Sequence, residues 1–62
     1  MISEINNAIR NLRAANKRGD RNEITEAEMV VQSVCGTVIE IGEADAATLR
    51  AARRGLRLIG VA

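Results

Sequence analysis

Apolar residues recur at helical spacing along most of this 62-residue chain. Ile2, Ile5, Ile9 and Leu12 stand three and four positions apart and share one side of a helix, with Ala8 and Ala15 at its edge. Ser3 can cap that helix, Glu4 suits the positive end of its dipole, and Gly19 is a natural stop. The pattern predicts a first helix from Ser3 to about Arg18.

A second helix is predicted from Thr25 to about Ile41. Thr25-Glu26-Ala27-Glu28 has the capping-box form, a hydroxyl at the N-cap with a glutamate three positions on. Ala27, Val30, Val31, Val34, Val38 and Ile41 share one face, and Met29, Gln32, Gly36 and Ile39 make a second, neutral one. No residue from 29 to 39 is charged, which reads as an element covered on two sides. Gly36 would let a neighbouring backbone come close, at about 1 kcal/mol in helix propensity. A third helix follows from Asp45, a good N-cap, to about Ile59. Leu49, Ala52, Leu56 and Ile59 form its stripe, Gly55 weakens it from within, and Gly60 is its stop.

The chain therefore reads as all-α, a small three-helix domain over residues 1–62. The alternative is an α+β fold. Thr37-Val-Ile-Glu-Ile41 is strand-like by residue type, and Leu56 to Val61 can be a second strand, giving a strand-helix-strand unit from residue 37. Two parallel strands alone make a poor sheet, because parallel sheets want both faces covered.

Composition makes a stable single copy hard to build. A chain this short buries only about 60% of its unfolded surface. It has no Phe, Tyr or Trp, the residues that bury roughly 150–250 Å² each. Cys35 is the only cysteine, so no internal disulfide can help, and without histidine there is no recognisable metal-ligand set or cofactor motif. Association with another copy, most simply as a dimer, is the remaining remedy. The neutral faces of the second helix, with Met29, Val30, Val34, Gly36, Val38 and Ile39, are the expected contact.

Charge adds the functional clue, because it is sorted into blocks. Five bases and one acid lie between Arg10 and Arg21, six acids and no base between Asn22 and Leu49, and four arginines and no acid from Arg50 onward. Net charge is only +1, so the layout carries the information. Arg50, Arg53, Arg54 and Arg57 fall at i, i+3, i+4 and i+7, within one arc of the third helix. Arg10, Arg13 and Lys17 repeat the device on the first. Such rows suit a solvated face, an acidic protein surface (including Glu26, Glu28, Glu40 and Glu43 of a neighbouring copy) or a nucleic-acid backbone. Asn6, Asn7, Arg10 and Asn11 also have side chains suited to reading base edges, although no helix-turn-helix spacing accompanies them.

Catalysis finds little to work with. The acids sit at helix starts and turns without calcium-loop spacing, the glycines lack phosphate-loop spacing, and Cys35 lies among valines as an inert core thiol. No small-molecule substrate is indicated. Residues 1–10 do not resemble a signal peptide, and no apolar run approaches the roughly 18 residues of a membrane span. The expected protein is cytoplasmic and non-enzymatic: a small regulator, adaptor or inhibitor that self-associates and docks arginine-rich helix faces on an acidic partner. A small nucleic-acid-binding regulator is the alternative, and a structural assembly subunit the second.

Overall fold

The structure, a computed structural model, describes residues 2–60. It is all-α: α1 spans Ile2–Arg18, α2 Arg21–Ile41 and α3 Ala46–Leu58, with no strand among the described residues. Thr37–Ile41 and Leu56–Leu58 are helical, which removes the strand-helix-strand alternative there; Val61 lies outside the described residues. Residue type lost to packing at this point. Val38 continues the line of Val31 and Cys35 into the core and is 5% exposed, so burial outweighs a β-branched preference.

α1 stops at Gly19 as expected, and α2 stops at Gly42, both with φ in the left-handed region that suits glycine. Each amide closes the preceding helix: Gly19 N–H donates to Ala15 O at 3.0 Å and Gly42 N–H to Val38 O at 3.1 Å. The starts differ more. α1 already includes Ile2 and Ser3, so Ser3 is not its cap, and Ile2 is 41% exposed rather than part of the core. α2 begins four residues before Thr25. Asp20 is its N-cap, accepting from the amides of Asn22 at 2.9 Å and Glu23 at 3.3 Å. Thr25 sits inside the helix and donates its hydroxyl to Arg21 O at 3.0 Å. The earlier start wins because Asp20 caps directly after Gly19 and Ile24 joins the partly buried shell of the core. Asp45 caps α3 as expected, accepting from Thr48 N–H at 3.0 Å.

α1 and α3 each pack against α2 and also touch one another. One core holds the three helices together: Ile5, Ala8, Ile9 and Leu12 of α1, Val31, Cys35 and Val38 of α2, Ala51 and Ala52 of α3. The α3 contribution is shifted from the expected stripe. Thr48, Ala51, Ala52 and Gly55 are buried, while Leu49, Leu56 and Ile59 only flank the core. The close approach foreseen at Gly36 occurs instead at Gly55. A Cβ there would lie 2.6 Å from Cys35 Sγ and 3.3 Å from Val31 Cγ1, whereas one at Gly36 would meet nothing within 4 Å. Small residues on α3 draw it tightly onto α2, which rotates its larger aliphatics to the rim. On α2 itself, Val30 and Ile41 were expected in the core face but stand 49% and 56% exposed.

Candidate functional site

The packing of α1 beside α3 joins the two basic rows. Arg50, Arg53, Arg54 and Arg57 are all exposed along α3, and Arg10, Arg13 and Lys17 along α1. Between the helices runs an open groove. Its upstream part is lined by Ile2, Asn6, Ala47 and Ala51 with all four α3 arginines. The adjoining part is lined by Asn6, Ile9, Arg10, Arg13 and Arg54. Asn6 and Arg54 line both parts and link the rows into one surface. Lys17 extends the α1 row by one further turn.

Among the described residues no carboxylate forms an ion pair with this face. Arg18 and Glu23 form the one ion pair among the described residues, with Arg18 Nη2 2.7 Å from Glu23 Oε2 and Arg18 Nε 3.0 Å away. That pair fastens the α1–α2 turn, away from the groove. Asp45 touches the field only at its edge. Its pKa is held below the ordinary carboxylate value first by hydrogen bonds from Thr48, with Arg50 a smaller electrostatic influence. Glu23, Glu26, Glu28 and Glu40 all belong to α2, across the bundle from the groove. Like charges at i, i+3 and i+4 cost a few tenths of a kcal/mol per pair, so the α3 row is maintained against its own repulsion.

The base-reading set foreseen on α1 is not assembled. Asn6 and Arg10 belong to the basic groove, but Asn11 lines a separate groove between α1 and α2 with Arg18, Glu23 and Glu26. Asn6 and Asn11 stand five residues apart on α1 and so project from different sides of the helix.

The residues expected to mediate self-association divide likewise. Met29 (63% exposed) and Val30 stand on the outer side of α2, whereas Val34, Gly36 and Ile39 are half-buried. Val38 points into the chain's own core and offers nothing to a second copy. The uncharged run is therefore covered on one side by this chain and open on the other. Cys35 is fully buried, and burial pushes its thiol pKa up, away from the reactive thiolate.

Among the described residues no three His, Cys, Asp or Glu side chains come together as a metal site, and no helix is long and apolar enough to cross a membrane. Set beside known protein families, curated proteins and solved structures, the chain matches none.

Proposed function

We propose that this protein is a non-enzymatic binding module of the regulator, adaptor or inhibitor kind, which docks its α1/α3 basic face on an acidic macromolecule and self-associates through α2. The observation that carries the reading is the continuous surface of Arg10, Arg13, Arg50, Arg53, Arg54 and Arg57, without a carboxylate paired to any of them among the described residues. Six guanidinium groups in the open repel one another and bring no stability, so their use lies in an external anion. Self-association is supported by the exposed Met29 and Val30 and by the thinness of the core.

Retention on an immobilised sulfated polysaccharide tests the docking. The native chain is expected to elute at clearly higher salt than a variant with Arg50, Arg53, Arg54 and Arg57 all replaced by Gln. Gln is a good helix former, so helicity should be unchanged. Elution of both at the same salt removes the reading. Light scattering tests the association: a mass near twice the 6.7 kDa of the chain supports it, and a single-chain mass at every concentration refutes it.

A further inference from the structure

We infer that the α1/α3 face binds the phosphate backbone of double-stranded nucleic acid without reading its sequence; the inference rests on the docking reading above and names its partner.

Four observations point to this chemistry rather than to an acidic protein. First, the charged groups of the groove are all arginine, whose planar fork matches two phosphate oxygens at once. Second, they stand in two rows on adjoining helices. The α3 row from Arg50 to Arg57 spans seven residue steps, about 10 Å of helix axis, comparable to the axial rise of about three phosphates on one strand.

Third, the face lacks the centre that a protein interface needs. Binding to a folded protein concentrates in a desolvated aromatic or aliphatic anchor. Here Ile9 and Ala51 are already buried in the chain's own core, and only Ile2 projects as a large apolar group. A phosphate backbone asks for no such anchor. Fourth, no acid is among the residues that line the groove, and four of the eight acids lie on α2, so the field over the groove persists although net charge is +1. The absence of any aromatic residue leaves nothing on which the bases of a single strand would stack. Asn11 lines another groove, so Asn6 is the one asparagine beside these arginines, short of the four-residue set expected for base edges.

Fluorescence anisotropy with the full chain decides the matter, using a labelled duplex of arbitrary sequence, one of its strands alone, and polyglutamate. The duplex is expected to bind, with affinity falling about a thousand-fold between about 50 and about 200 mM salt if all six arginines make contact. Replacing any one of the six with Gln should lower the salt slope by about one. Arg21→Gln, outside the face, should leave the slope unchanged, and a second duplex of unrelated sequence should bind equally. Binding of polyglutamate or of the single strand in preference to the duplex overturns the inference while leaving the docking reading in place. No binding to any of the three overturns both.

Discussion

Asp45 shows how much a single side chain decides in this fold. It turns the chain out of the Gly42–Ala44 link and into α3 by accepting the Thr48 amide at 3.0 Å. Those hydrogen bonds favour the ionised carboxylate and lower its pKa in the folded state. A folded value below the unfolded one contributes stability that is present above the unfolded pKa and is lost as pH falls through the folded pKa. The urea midpoint of the native chain should therefore drop across the acid range. Asp45→Asn keeps an N-cap that does not titrate, so its drop should be shallower, while the two proteins stay close at neutral pH. Parallel pH profiles would show that the cap contributes nothing to the acid sensitivity. Asp20 carries the same role for α2, and its signal was present in the sequence. Asp20-Arg-Asn-Glu23 has the same spacing as Thr25-Glu-Ala-Glu28 and directly follows Gly19. Two cap patterns five residues apart compete, and the one that adds another turn of hydrogen-bonded helix prevails.

At the scale of elements, the seam between α2 and α3 depends on the missing side chain at Gly55. Alanine there would gain about 1 kcal/mol in helix propensity but must place its methyl 2.6 Å from Cys35 Sγ. The surrounding core is closed, with Cys35, Val31 and Ala52 all at 0% exposure. Gly55→Ala should destabilise the protein by about 1–3 kcal/mol, the usual cost of overpacking. Cys35→Ala alone should cost about 1 kcal/mol through the small cavity it leaves. Combined, they should lose less than the sum, since the added methyl occupies the space the sulfur vacated, with a coupling of about 0.5–3 kcal/mol. Chemical denaturation of the four proteins measures this directly. Strict additivity would mean that α3 slides to admit the methyl and that the seam is not fixed at this point.

For the whole molecule, the balance is between a thin core and an uncompensated surface. Among the described residues, four of the ten buried hydrophobics are alanine, and only Ile5, Val31 and Cys35 are large side chains buried completely. The accessible surface of 4341 Å² exceeds the roughly 3,900 Å² expected of a compact monomer of this mass. Against that modest base, the α3 arginines form four like-charged neighbours at i+3 or i+4, a burden of about 1–2 kcal/mol at low salt. Replacing Arg50, Arg53, Arg54 and Arg57 with Gln should raise the melting temperature at low salt by several degrees, less the favourable effect of Arg57 at the helix C-terminus. The gap should narrow as salt screens the row. A variant that melts lower than the native chain at low salt would show that the arginines stabilise the fold, and the surface would then need no partner to account for it.

The sequence by itself determined the three helices, their glycine stops, the Asp45 cap and the arc of arginines on α3, because each depends on spacing within about a dozen neighbouring residues. Tertiary structure decided what no single helix contains. It set α1 beside α3, so that two separate basic rows became one groove. It placed the close approach at Gly55 rather than Gly36, and it turned Val38 inward while leaving Met29 and Val30 outside. These outcomes depend on how three helices rotate about their own axes to bury the smallest residues most tightly, and that rotation is settled by packing among all of them at once.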